Sequence, residues 1–83
     1  MAKLSPTQRE VLALAAAEGQ IWRADTGRAI NVWRVRYPDG RIEYANRTVH
    51  SLIDKDLLRI DDASPHWRRT VTITDAGRAE LAT

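Results

Sequence analysis

Arginine is the residue type through which this chain could do chemistry. The sequence holds eleven Arg and only two Lys. A guanidinium is a rigid planar fork of N–H donors that matches phosphate and carboxylate, and it stacks flat on aromatic rings. The chemistry on offer is therefore anion recognition. Codon usage in a GC-rich genome produces the same excess, so position has to separate the two. Six Arg (residues 23, 28, 34, 36, 41 and 47) fall within 21–53 against Asp25, Asp39 and Glu43, a local charge of +3. Residues 54–62 hold Lys55 and Arg59 against Asp54, Asp56, Asp61 and Asp62, a local charge of −2. The rest adds +1, giving +2 in all, too little by itself to mark a nucleic-acid binder. The chain nevertheless has a basic stretch followed by an acidic one.

Other chemistries find no support. The sequence has no cysteine, which excludes disulfides, thiolate zinc sites and a Cys nucleophile. His50 and His66 have no ligand neighbours at metal spacing, so neither a metal nor another cofactor is expected. There is no Gly-rich phosphate loop and no paired-carboxylate arrangement. Ser51 and Ser64 have no adjacent base, and a domain this small cannot enclose a large pocket. The chain does not read as an enzyme. No apolar run approaches the roughly 20 residues that span a bilayer, and no signal-peptide core precedes the first helix. A cytoplasmic protein without membrane contact is expected.

The 83 residues suit one small domain spanning 1–83. A chain of this size buries roughly 60% of the surface its unfolded form exposes, enough for one modest core. Residues 4–18 read as a helix. Ser5 at the N-cap, Pro6 at the first helical position and Gln8 three residues on form a capping box. Gly19 is placed to end that helix. Ile21 and Trp22 favour a strand, and Asp25-Thr26-Gly27-Arg28 signals a turn. From Asn31 to Tyr37 the chain alternates, with Trp33, Val35 and Tyr37 on one face and Val32, Arg34 and Arg36 on the other. Pro38-Asp39-Gly40 turns it back into Arg41–Tyr44, where Ile42 and Tyr44 are apolar and Arg41 and Glu43 are expected across from the arginine face. Residues 46–57 are helical, capped by Asn46, with Val49, Leu52, Ile53 and Leu57 on one stripe. A short strand at 58–60, a loop at 61–65 and an alternating strand at 68–73 follow. Thr74 then caps a short helix from Asp75 to Ala82. Of the three Trp, Trp33 belongs to the core and Trp67, beside Pro65 and two Arg, is the one expected at the surface.

The second half carries Thr48-Val49-x-x-Leu52-Ile53-x-x-x-Leu57-Leu58, then a hairpin, then Val71-Thr72-Ile73-Thr74-Asp75-Ala76-Gly77-Arg78. This order resembles the recognition helix and wing of winged helix-turn-helix proteins, especially the MarR-like regulators. The resemblance covers residues 46–82. In those proteins a helix precedes the recognition helix; here a hairpin at 33–44 holds that place. The first half, with Leu4-Ser5-x-x-Gln8-Arg9-x-Val11-Leu12 and Asp25-x-Gly27-Arg28, resembles a small uncharacterised bacterial family regarded as toxins of toxin–antitoxin loci. The expected fold is thus an α+β, winged-helix-like single domain ordered helix, β-hairpin, helix, β-wing, short helix.

The resemblance implies a DNA-binding protein, a bacterial or phage transcriptional regulator, with helix 46–57 in the major groove and wing 61–70 on the backbone or minor groove. Arg47, Thr48, His50 and Ser51 would meet bases or phosphates, Lys55 the backbone, and Arg68 and Arg69 the wing's contact. Arg34, Arg36 and Arg41 form a possible second basic surface. Asp54, Asp61 and Asp62 would repel phosphate unless paired. The alternative is a winged module that binds a protein and no DNA, through Trp67 or the Asp54–Asp62 segment, since a fold does not dictate its function. With only short terminal elements, a monomer or weak homodimer is expected.

Overall fold

The computed structural model describes residues 4–17, 20–24, 32–65 and 67–83. In chain order these form α1 (Pro6–Ala16), β1 (Gln20–Ala24), β2 (Trp33–Arg36), β3 (Ile42–Tyr44), α2 (Asn46–Asp54), β4 (Leu58–Ile60), β5 (Arg68–Ile73) and α3 (Asp75–Leu81). The strands make one antiparallel sheet in the order β3-β2-β1-β5-β4. The result is a small α+β domain.

Strand pairing sorts the side chains into two faces. Residues directly opposite each other across an antiparallel pair share a face, and neighbours along a strand alternate. Ile21 is opposite Val35, Leu58 opposite Ile73, and Ile60 opposite Val71. These residues and Trp33 meet Val11 and Leu12 of α1 and Val49 and Leu52 of α2 in one core, with Leu81 of α3 at its margin. All three helices therefore cover the same face of the sheet. Trp33, Val35, Val11, Leu12, Val49 and Leu52 have no exposed surface at all.

The capping box at the start of α1 forms as expected. The Ser5 hydroxyl accepts the Gln8 N–H at 3.1 Å, and the Gln8 carboxamide oxygen accepts the Ser5 N–H at 2.8 Å. The other end of Gln8 reaches α2, where Nε2 donates to Ser51 Oγ at 2.9 Å. One glutamine thus starts a helix and fastens it to the next. Gly19 and the 25–28 turn lie outside the described residues. Between β2 and β3, Gly40 N–H donates to the Tyr37 carbonyl at 2.9 Å, and Gly40 has φ +89°, a conformation in which glycine carries no Cβ penalty.

Both ends of α2 differ from the sequence expectation. Ala45, not Asn46, occupies the N-cap. Its N–H is already bonded to the Trp33 carbonyl at 2.8 Å, so the ladder carries the chain straight into the helix. Asn46 serves the sheet instead, its Oδ1 accepting the Trp33 N–H at 3.3 Å. The helix expected through residue 57 ends at Asp54. Asp56 turns left-handed at φ +60°. Its N–H donates to the Ile53 carbonyl at 2.9 Å, and Leu57 N–H donates to the Leu52 carbonyl at 2.9 Å. This pair of bonds is a Schellman closure with Asp where glycine is usual. A non-glycine residue in this region costs roughly 1–2 kcal/mol. Asp56→Gly is therefore expected to stabilise the domain by about 1 kcal/mol, read as a higher urea midpoint at unchanged slope. An unchanged or lower midpoint would show that the Asp56 side chain offsets its own strain.

α3 docks onto the α2–β4 junction. Thr74 Oγ1 accepts the Gly77 N–H at 3.0 Å and donates to the Asp56 carbonyl at 2.6 Å, while Thr74 N–H donates to the Leu57 carbonyl at 3.1 Å. A Cβ on Gly77 would come within 2.7 Å of Ile73 Cγ1 and closer still to the Leu57 carbonyl oxygen. The Thr74-x-x-Gly77 spacing therefore lets the last helix start hard against the chain before β4.

Candidate nucleic-acid interface

The face of the sheet turned away from the helices carries the arginines. On it, Trp22 of β1 stands opposite Arg34 of β2 and Thr70 of β5, and Arg34 stands opposite Tyr44 of β3. Arg36 stands opposite Gln20 and Ile42, Arg68 opposite Ala24, and Arg59 of β4 opposite Thr72. Arg34, Arg36, Arg59 and Arg68 thus share one face, and none of the strand residues beside them on it is acidic. Asp61, just past β4, is turned into its loop, its carboxylate accepting the Ala63 N–H at 3.0 Å. Among the described residues no carboxylate pairs with any of these four arginines.

Aromatic rings organise the cations. The Arg36 and Arg68 guanidiniums lie 5.8 and 5.3 Å from the centroid of the Trp22 ring. The Arg34 guanidinium lies 5.4 Å from the centroid of Tyr44. Trp22 is only 9% exposed, although α1, α2 and α3 all pack on the other face. Each such contact contributes about 0.5–1 kcal/mol at an exposed site. Their larger effect is positional. A guanidinium that lies on a ring spends its π surface there and keeps its in-plane N–H donors for an incoming anion. Tyr44 is 76% exposed, and Ile42, next to it on the same face, is 48% exposed.

Of the residues first expected to meet DNA, all but Arg68 lie elsewhere. Arg47 and His50 are exposed on α2, on the helical side of the molecule and away from the bare sheet. Thr48 is half-buried. The Ser51 hydroxyl is taken up between Gln8 and the Thr48 carbonyl, to which it donates at 2.8 Å. Lys55 is exposed at the end of α2 between exposed Asp54 and Asp56. Of the two wing arginines, Arg68 joins the bare face, but Arg69 is half-buried and donates from Nη1 to the Ser64 carbonyl at 3.0 Å. Ser64 Oγ also accepts the Thr70 N–H at 3.3 Å, so Arg69 shapes the hairpin. His66 lies outside the described residues. Trp67 is 59% exposed, as expected.

Arg41 separates from Arg34 and Arg36. The residues across from those two are Tyr44 and Ile42, not Arg41 and Glu43. The period-two alternation puts Arg41 on the opposite side, where its Nε meets Glu43 Oε2 at 3.2 Å and its guanidinium lies 4.4 Å from the Tyr37 centroid. An ion pair this exposed adds little stability. Burial pushes the Tyr37 phenol above its ordinary value of 10.0; Glu10 and Glu43 push the same way, and Arg41 opposes them. The unfolded phenol then ionises near pH 10 while the folded one keeps its proton. The contribution is complete below pH 10 and is lost as pH rises through the folded value. Alkaline denaturation is expected to steepen above pH 10, and Tyr37→Phe to flatten it; equal slopes for both proteins would refute this.

Sequence reasoning missed Trp22, Tyr44 and Arg59 as members of one surface. The period-two pattern places each on a strand face, but only the cross-strand register unites them. Among the described residues, no group of three or more His, Cys, Asp or Glu could hold a metal ion, and no helix is long and apolar enough to cross a membrane. Compared with family models, curated proteins and solved structures, the chain matches none.

Proposed function

We propose that the protein binds nucleic acid, and that it does so through the bare face of the sheet. One observation carries this reading. Four arginines share that face with Trp22 and Tyr44, and none of the paired strand residues on it is acidic. A surface with several unpaired guanidiniums is an electrostatic footprint for a polyanion. Neutralising phosphates releases condensed counterions, so affinity should fall steeply with salt. With four arginines engaged, log affinity should fall by about 3 per decade of salt. Fluorescence anisotropy with labelled oligonucleotides across a salt series tests this. Absence of binding to any oligonucleotide at about 50 mM salt would refute it.

A second reading keeps α2 as the contact to duplex DNA, in a winged-helix arrangement serving transcriptional regulation. Its support is that Val49 and Leu52 anchor α2 in the core while Arg47 and His50 stand exposed on its outer side. That is how a helix must be held to enter a groove. Exposed Asp54 and Asp56 weigh against it. Arg47→Gln separates the two, since the sheet reading leaves its affinity unchanged.

A further inference from the structure

We infer that the bare sheet face takes a single-stranded nucleic acid, with a base stacked on Tyr44 and its phosphates held by Arg34, Arg36 and Arg68. This rests on the reading of that face as a nucleic-acid surface and specifies its ligand.

Shape argues against a duplex. The major groove is about 12 Å wide and admits a helix or a two-stranded ribbon. This surface is the flat of a five-stranded sheet. Four spacings of about 4.8 Å make it roughly 19 Å across before side chains are added. Such a sheet is too broad for the major groove, so an unbent duplex would meet it mainly through phosphates on one side. A single strand can lie flat across it, with its bases unstacked and free to find rings.

Chemistry agrees with shape. Single strands are held by cationic tracks with interspersed aromatic or guanidinium planes on which bases stack. The two aromatics have separate parts. Trp22 is nearly covered, so it serves as the seat that holds Arg36 and Arg68. Tyr44 has the Arg34 guanidinium near its ring and yet is 76% exposed, which leaves ring surface for a base. A base laid there would extend an arginine–tyrosine stack by one layer. Ile42, also on this face of the edge strand, widens the apolar ground beside it. Arginines engaged with phosphates and a base stacked on a ring carry little sequence information, so little sequence preference is expected.

The test compares an oligothymidylate of about 12 nucleotides with an oligouridylate and a duplex of the same length, by anisotropy at low salt. At least one single strand is expected to bind ten-fold or more tightly than the duplex, and the stronger of the two identifies DNA or RNA as the source. Tyr44→Ala should weaken single-strand binding by about 10-fold to 100-fold, Tyr44→Phe should restore it, and neither should move duplex binding. Tyr44 is exposed, so these variants keep the fold. Equal or tighter duplex binding, or a Tyr44→Ala variant that binds like the native chain, would overturn the single-strand inference and leave nucleic-acid binding standing. No binding to any of the three would overturn both.

Discussion

Replacing Arg34, Arg36 and Arg68 together by Gln is expected to weaken single-strand binding by about 100-fold or more without unfolding the protein. Hydrogen bonds to charged groups contribute about 1.5–3 kcal/mol when well formed. Exposed contacts fall below that range, so about 1 kcal/mol each is a fair measure. Three of them sum to about 3 kcal/mol, or two decades in Kd. The salt dependence should change in parallel, its slope falling by about 2. Folding should lose little. The contacts of Arg36 and Arg68 with Trp22 and of Arg34 with Tyr44 disappear, at about 0.5–1 kcal/mol each, while removing three like charges from one face relieves repulsion. Anisotropy and a thermal melt read the two effects separately. Affinity within two-fold of native, in a variant that still melts cooperatively, would remove the sheet face from the binding reaction. If Arg47→Gln and Lys55→Gln caused the loss instead, the contact would pass to α2.

The three arginines illustrate what a linear reading captures and what it cannot. The alternation through residues 32–37 places Arg34 and Arg36 together and Trp33, Val35 and Tyr37 on the other side, and the structure agrees. The helix caps and turns are equally local. Ser5 with Gln8, Gly40 in its turn, and Thr74 before α3 each depend on residues within four positions, so sequence spacing is sufficient to find them. The surface itself is not local. Trp22 meets Arg36 and Arg68 because β1 is the central strand, between β2 and β5, and no spacing along the chain announces that.

Two misreadings have the same physical origin. Ile42 and Tyr44 are apolar, and apolarity usually marks an inward face. Here β3 is a short edge strand whose apolar pair faces outward beside arginines. Helix periodicity likewise carries through Leu57, because Leu57 is buried. It is buried on the way into β4, after Asp56 has already turned the chain out of the helix. A pattern records which residues are hidden but not the route the backbone takes to hide them. At α2 the polar pattern misleads similarly. Ser51 looks available to DNA, yet its hydroxyl is committed to Gln8, forty-three residues earlier in the chain.

Trp33→Ala is expected to cost the fold about 3–5 kcal/mol, the usual range for deleting a buried large aromatic. A domain of 83 residues has roughly 4–12 kcal/mol in total, so this variant should lose a large share of its stability and melt at a much lower urea concentration. The position explains the size of the effect. Trp33 has no exposed surface and sits in the core beneath the helices. Its N–H donates to Asn46 Oδ1, and its carbonyl accepts the Ala45 N–H, so its backbone is the hinge between the sheet and α2. The Arg23 guanidinium lies 5.3 Å from its ring centroid. A second substitution isolates what the indole contributes. Among the described residues, no acceptor meets the buried Trp33 Nε1. A buried donor left unsatisfied costs about 1–3 kcal/mol. Trp33→Phe loses volume but also removes that donor, so its net cost should be about 1 kcal/mol, well below that of the alanine variant. Urea unfolding followed by circular dichroism measures both. If Trp33→Phe proved as damaging as Trp33→Ala, the indole N–H would have to be bonded in solution. The hinge would then be held by the ring's polar edge as well as by its packing.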